Sequence, residues 1–279
     1  MHAKMKLTSK FRELRKSNEH ALMPYIPVGY PDIKSTEAVI DTLIKSGSDI
    51  IELGLPFSDP IADGSTIQKA SESALDSGIN TDMYFRICKK VCREKNTAFV
   101  AMTYYNLIFK YGLKRFTKRC ADVGISGIIV PDLPVEESHD LKKFCREYNI
   151  DLIYIISPTT TDERIEQIIK NASGFIYLVS LLGVTGARDI MSKHVKGLIR
   201  KVKSKTNMPV CLGFGISQPK HVKKAIDYGA DGVIVGSAII DTIEKNRKNK
   251  KKMLKELSRF VDSLKDATSY RFICISSVV

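Results

Sequence analysis

The chain has 279 residues, of which 43% are hydrophobic and 27% are charged, a composition that supplies enough apolar material for a large buried core. No apolar run approaches the roughly 20 residues that span a bilayer, and the N-terminus is charged, so we expect neither membrane insertion nor secretion. The net charge of +13 raises the question of nucleic-acid binding. The densest basic run, Lys245–Lys252, contains no aromatic residue, which favours a solvated helix face instead.

The cysteines and histidines do not form a metal-binding pattern. Cys88 and Cys92 are four residues apart, but the sequence has no second close pair of cysteines and no histidine near the first. We therefore expect free thiols in a reducing cytoplasm. The histidines all fall in predicted helices or linkers, so we expect no metal-dependent chemistry.

In chain order, an amphipathic helix over residues 6–17 is followed by a series of short apolar runs separated by amphipathic stretches. The runs predict eight β-strands: Leu22–Val28, Ile50–Leu55, Ala98–Tyr104, Gly127–Val130, Leu152–Ile156, Phe175–Val179, Val210–Gly213 and Gly232–Val235. Most are apolar at nearly every position, as parallel strands covered on both faces are. Helices are predicted between them, for example over 36–45, 113–123, 136–147 and 220–228.

A repeated helix-to-strand junction indicates how these elements assemble. Gly47, Gly124 and Gly229 each end a predicted helix and are followed within a few residues by a strand. Eight βα units in about 240 residues predict an α/β protein with a closed (β/α)8 TIM barrel over residues 1–268, a single domain with an extra N-terminal helix at its lower end. An open dinucleotide-binding sheet would carry a glycine fingerprint after its first strand, where this chain has Gly29-Tyr30-Pro31-Asp32. We expect the tail, residues 269–279, to be disordered or loosely packed.

Glu52 is the first candidate for chemistry, since it interrupts the apolar second strand. A buried carboxylate is costly unless it is paired, and the other strand cores contain almost no cations. A structural ion pair remains an alternative. In an apolar barrel mouth the carboxyl group would have a raised pKa and could exchange protons near neutral pH, which favours an acid–base role.

Asp63 lies in the loop that follows this strand, residues 56–64, which is rich in Pro, Gly and Asp. The loop could fold over the barrel mouth and bring Asp63 towards Glu52, and two carboxyl groups in one site commonly differ in pKa. The alternative for Asp63 is to cap the helix that follows. Asp59, which precedes Pro60, is typical of a turn.

The late strands end in glycine-rich loops. Gly183–Gly186 follows the sixth strand, Gly213–Ser217 the seventh, and Gly236–Ala238 the eighth, where a helix also begins. In barrels these positions often bind phosphate, because glycine allows close approach and the free N–H groups of a helix start attract anions. We therefore expect a phosphorylated substrate. Tyr177, within the sixth strand, is either a core residue or a pocket residue.

The stretch Ile51–Gly64, with the sequence IELGLPFSDPIADG, closely resembles the signature of the tryptophan synthase alpha chain family. The resemblance continues through Tyr104–Asn106, Pro131–Glu137 and the late glycine loops, and it covers residues 7 to 268. One departure is Ser65, where the family usually has proline after Asp-Gly. This difference predicts a looser loop that keeps both carboxylates.

The resemblance implies cleavage of indole-3-glycerol phosphate to indole and glyceraldehyde 3-phosphate. Glu52 would then protonate the ring carbon that bears the glycerol chain, and Asp63 would hold the indole N–H. Further residues would surround the substrate: Tyr177 lining the pocket, Thr185 on a mobile loop that closes onto Asp63, and Gly186, Gly215, Gly236 and Ser237 at the phosphate.

The resemblance also implies a partner, a beta subunit that carries pyridoxal phosphate and receives indole, in an alpha2beta2 heterotetramer. Pro56, Asp59, Asn106 and Pro134 match positions at or near that contact, and the alpha chain itself would carry no cofactor. One alternative is another phosphate-binding TIM-barrel enzyme acting on a sugar phosphate. Indole-glycerol-phosphate synthase would need a lysine at a strand end, which no strand core here supplies. A non-catalytic basic binding protein is the other alternative.

Overall fold

The structure, a computed structural model, describes residues 6–92, 96–179, 188–213 and 215–269, with the side chains of 188–193 left out. Eight parallel strands close into a barrel in chain order, which confirms the predicted TIM barrel. The strands are β1 (Ala21–Pro27), β2 (Ile50–Gly54), β3 (Ala98–Met102), β4 (Gly127–Ile129), β5 (Asp151–Ile156), β6 (Ile176–Val179), β7 (Val210–Gly213) and β8 (Gly232–Val235).

Helices surround the barrel and connect its strands. They are α1 (Leu7–Lys16), α2 (Ile33–Lys45), α3 (Ser65–Asp76), α4 (Thr81–Val91), α5 (Tyr105–Tyr111), α6 (Leu113–Val123), α7 (His139–Glu147), α8 (Asp162–Asn171), α9 (Arg188–Lys203), α10 (Pro219–Asp227), α11 (Ser237–Asn246) and α12 (Lys250–Asp266). The helix predicted over 136–147 is split into a 3-10 turn, Val135–Glu137, and α7. The break lies at buried Ser138, whose hydroxyl donates to the Val135 carbonyl at 2.7 Å instead of facing solvent.

Helix α1 closes the lower end of the barrel, as its amphipathic pattern predicts. Leu7, Phe11 and Leu14 recur at helical spacing and are all buried. They pack with the inward-facing residues of the strand starts, including Ile50 and Phe175. Because these apolar side chains fill the lower end, a substrate can enter only from the opposite end, where the strands have their carboxyl ends.

The glycine junctions adopt the backbone that the sequence predicts. Gly47, Gly124 and Gly229 have φ values of +80°, +96° and +102°, a region that residues with a Cβ rarely adopt. Each reverses the chain after a helix so that the next strand begins at the lower rim. In the described part of the chain, no helix combines the length and the apolar character needed to cross a membrane.

Candidate active site

Glu52 lies inside the barrel and has no hydrogen-bond partner in the described part of the chain. Alternation along β2 places its side chain on the same face as Ile50, which packs in the barrel interior. Glu52 is 1% exposed, and among the described residues neither of its carboxylate oxygens has a hydrogen-bond partner. Burial, with a smaller contribution from the charge of Asp63, raises the pKa of Glu52 to about 8.

Asp49, a second buried carboxylate in the same βα unit, has a structural role and can be compared with Glu52. Asp49, at the lower end of β2, accepts hydrogen bonds from the Leu22 N–H at 2.9 Å and from the Lys265 ammonium at 2.9 Å. Asp49 is therefore paired on both sides and links β1, β2 and α12. Glu52, three residues further up the barrel, has neither a cation nor a backbone donor among the described residues, so the structural ion pair considered from the sequence is not formed there.

Asp63 is held near Glu52 by the loop that follows β2. The hydroxyl of Tyr104 accepts a hydrogen bond from the Ala62 N–H at 3.0 Å and also bonds to the carboxylate of Asp63. Burial raises the pKa of Asp63 to about 6, and the bond from Tyr104 partly opposes this rise. The N-cap residue of α3 is Gly64, and no side chain bonds to the first turn of that helix. Asp63 therefore does not cap α3.

Two further tyrosines, one on β1 and one on β6, lie near the carboxyl groups. Tyr25 lies beside Glu52 in the β1–β2 register, and Tyr177 points inward from β6. The charges of both Glu52 and Asp63 add to burial in raising the pKa of each hydroxyl. Glycines make room for both rings, since a Cβ on Gly54 would lie 2.5 Å from the Tyr25 hydroxyl and one on Gly213 would lie 2.6 Å from that of Tyr177.

Sequence reasoning identified Glu52, Asp63 and Tyr177 but gave no role to Tyr25 or Tyr104. Tyr25 is part of an apolar strand, where a tyrosine is ordinarily a core residue. The signal that could have found it is the alternation of β1, which places Tyr25 on the same face as Met23 inside the barrel. Tyr104 comes immediately after β3, at the carboxyl end where barrel active sites form.

The start of α11, at the same end of the barrel, has two features that favour an anion. Gly236 is the N-cap residue without a side-chain cap bond, and the first turn, which begins with Ser237, contains no acidic residue. The free N–H groups of this turn and the helix dipole favour a negative charge there. Gly215 follows β7 with φ +77°, a conformation suited to a tight anion-binding turn. Thr185 and Gly186 lie outside the described residues.

The residues expected at a partner contact follow strands β2, β3 and β4, three of them on loops and Asn106 in the first turn of α5. Asp59 and Asn106 are exposed, Pro134 is half-buried and Pro56 is buried within the chain. Two large apolar side chains nearby in the sequence are also exposed: Ile61 at 85% and Phe109 at 64%.

A separate cleft opens at the lower end of the barrel. Its lining includes Arg15, His20 and Asp231, and neither Glu52 nor Asp63 takes part in it. Because the catalytic groups of TIM-barrel enzymes come from the upper loops, we do not assign the reaction to this cleft.

A TIM barrel with two carboxyl groups of raised pKa and three tyrosines near the carboxyl ends of its strands is typical of an acid–base enzyme. The family profile described as "Tryptophan synthase alpha chain" matches residues 11–269. The chain belongs to the tryptophan synthase alpha chain family, and this makes it a carbon–carbon lyase subunit of tryptophan biosynthesis. The alternative of a sugar-phosphate enzyme is not favoured.

Individual relatives agree with this assignment. The chain is 48% identical to the tryptophan synthase alpha chain of Methanosarcina acetivorans over 243 residues, covering 87% of this chain and 88% of the relative. It is 46% identical to that of Methanocaldococcus jannaschii, with coverages of 87% and 86%. Among solved structures, the alpha subunit of Legionella pneumophila superposes with a TM-score of 0.87 at 32% identity, covering 95% of this chain and 98% of that one.

Proposed function

We propose that this chain cleaves indole-3-glycerol phosphate to indole and glyceraldehyde 3-phosphate, with Glu52 as the acid–base group. The observation that carries the proposal is the buried Glu52, which lacks a partner among the residues that the structure describes and whose pKa is raised to about 8 next to Asp63, in a barrel of this family. At neutral pH most of Glu52 is protonated and most of Asp63, with its pKa of about 6, is ionised. The pair therefore offers one proton donor and one anion at the same time.

Glu52 would act twice in one turnover. Its carboxyl group first donates a proton to the ring carbon that bears the glycerol chain, which leaves positive charge on the indole ring. The resulting carboxylate then takes the proton of the adjacent glycerol hydroxyl. The carbon–carbon bond breaks as the carbonyl of glyceraldehyde 3-phosphate forms, and its electron pair returns to the ring to give neutral indole.

Asp63 would stabilise the charge that develops on the ring. An ionised carboxylate that accepts the indole N–H is most effective when that nitrogen becomes positive, so the interaction favours the transition state over the bound substrate. Tyr104 fixes the carboxylate by bonding to both Ala62 and Asp63, which restricts the loop. We propose that Thr185 closes onto Asp63 and excludes water, and that Tyr177 lines the pocket.

The phosphate would bind at the start of α11. Gly236 and Ser237 supply backbone N–H groups that make no hydrogen bond to a cap side chain. Gly215 lies in the loop that follows β7. Gly186 would complete this set. Backbone binding of phosphate orients the glycerol chain without placing another titratable group beside Glu52.

A direct test is the release of indole and glyceraldehyde 3-phosphate from indole-3-glycerol phosphate by the purified chain. We expect both products in equal amounts, and a set of sugar phosphates assayed in parallel should be unchanged. Turnover of a sugar phosphate without indole release would assign the barrel to the alternative class of enzyme. Asp63→Asn should slow the reaction sharply with the far-ultraviolet circular dichroism unchanged.

We also propose that the chain works in the cytoplasm with a beta subunit, in an alpha2beta2 heterotetramer. Solved structures that the chain resembles include tryptophan synthase of Mycobacterium tuberculosis, with a TM-score of 0.86 at 33% identity over 95% of this chain and 99% of that one. Asp59 and Asn106 are exposed at the barrel mouth beside Pro56 and Pro134, where indole would leave. The described cysteines are buried and none of them is in a disulfide, which fits a reducing compartment.

Pyridoxal phosphate would belong to the beta subunit, and we propose no cofactor for this chain. Within the described residues, no group of three or more His, Cys, Asp or Glu side chains is placed to hold a metal ion. Co-purification with a tagged beta subunit tests the partnership. Asp59→Lys should abolish the complex while leaving indole release by the isolated chain within about twofold, since an exposed rim charge contributes to association and not to chemistry.

A further inference from the structure

Arg247, at the end of α11, joins three separate parts of the upper barrel. Its guanidinium donates to the backbone carbonyl of Pro31 at 2.8 Å and to the hydroxyl of Ser73 at 3.0 Å. Pro31 lies in the loop after β1, and Ser73 lies on α3. One side chain therefore fixes the far end of α11 against both of these elements.

Tyr30 makes a second link between the same loop and the same helix. Its ring is buried, and its hydroxyl donates to the carboxylate of Glu244 at 2.5 Å. The guanidinium of Arg247 lies 3.6 Å from that carboxylate and 5.8 Å from the centre of the Tyr30 ring. Hydrogen bonds to a carboxylate are stronger than those between neutral groups.

These contacts act on the helix whose first turn is the proposed phosphate site. α11 has 10 residues, so about 15 Å separates its two ends. At its first turn the helix also faces α3, since a Cβ on Gly236 would lie 3.3 Å from the Ile67 side chain of that helix. The contacts at its far end, with the loop after β1 and with α3, restrict the orientation of the helix and therefore the direction of its first N–H groups.

We propose that Tyr30, Glu244, Arg247 and Ser73 form a clamp that sets the position of the α11 amides and thereby the affinity of the enzyme for the phosphate group. This inference rests on the proposed function, because it takes the α11 start as the phosphate site. All four would act as positioning residues, since their contacts involve the far end of α11 and not its first turn.

The test measures binding of inorganic phosphate and of glycerol 3-phosphate to the full chain by calorimetry, together with KM and kcat for indole release. Arg247→Met removes the guanidinium and keeps much of the aliphatic stem. Lys248→Met is the matched control, since it removes the same charge from the next, exposed residue. Tyr30→Phe is the second variant, which keeps the buried ring and deletes only the hydroxyl.

We expect Arg247→Met and Tyr30→Phe each to raise the phosphate Kd and the KM about fivefold or more, with kcat changed less than about twofold and Lys248→Met close to wild type. A purely structural role would lower Tm and leave the Kd of the folded protein unchanged. Wild-type Kd values in Tyr30→Phe, or equal Kd values in Arg247→Met and Lys248→Met, would overturn the clamp. Failure of the wild-type chain itself to bind phosphate would instead count against the proposed function.

Discussion

Replacing Glu52 with glutamine should stabilise the folded chain at high pH. The pKa of Glu52 is higher in the folded protein than in an unfolded chain, because burial disfavours the ionised form. The stability associated with the protonated carboxyl group is present in full below the unfolded pKa and is lost as the pH rises through the folded pKa. Glutamine does not ionise, so Glu52→Gln escapes this loss.

The size of the effect follows from the two pKa values, 4.5 for the ordinary group and about 8 for Glu52 in the fold. Each unit of difference corresponds to about 1.4 kcal/mol, so the ionised state costs up to about 5 kcal/mol. Between about pH 5 and about pH 9 the stability of the wild type should therefore fall by about 4 kcal/mol relative to that of Glu52→Gln. Any penalty from burying an amide without partners is the same at every pH and does not affect this difference.

Urea denaturation followed by circular dichroism at several pH values measures this directly. The exposed Glu72 of α3 provides a control, since Glu72→Gln is the same chemical change outside the barrel and should show no comparable gain at high pH. If the curves of stability against pH for the wild type and Glu52→Gln run parallel, Glu52 is ionised throughout, and the reasoning that makes it a proton donor fails.

Other predictions follow from the same geometry. The kcat/KM for indole release should fall as the pH drops through about 6, where Asp63 is protonated, and again as it rises through about 8, where Glu52 is ionised; a flat profile over this range would contradict both assignments. Tyr104→Phe should move the acidic limb to higher pH and slow turnover about tenfold, because Asp63 loses the bond that lowers its pKa. Gly213→Ala should lower the free energy of unfolding by about 1–3 kcal/mol in urea titrations, since the new Cβ would collide with the Tyr177 ring; an unchanged midpoint would show that the ring can move.

The fold could be predicted from the sequence because a parallel barrel repeats one strong pattern. Each strand is buried on both faces and so reads as a short apolar run, and several helix-to-strand junctions use a glycine with positive φ, such as Gly47. The break at Ser138 in the helix predicted over 136–147 could not be predicted, since the Ser138 hydroxyl bonds to that of Tyr154, which belongs to β5. Local patterns do not contain such long-range contacts.

The site could be predicted in part. Glu52 stands out in the sequence because an unpaired acid in an apolar strand is physically expensive, and the structure bears out the missing partner among the described residues. Asp63 was ambiguous, since a loop aspartate before a helix fits both a cap and an active site, and only the path of the loop distinguishes them. Tyr104 was missed because its role depends on the two partners of its hydroxyl. The roles of Thr185 and Gly186 stay predictions.

The rate of indole release by Glu52→Gln, with binding of glycerol 3-phosphate measured on the same sample, tests the central claim most directly. We expect the rate to fall at least about a hundredfold while the Kd stays within about twofold of wild type, because the substitution removes the proton donor and leaves the backbone amides of the phosphate site in place. A variant that binds the ligand and still releases indole at close to the wild-type rate would show that the proton comes from another group.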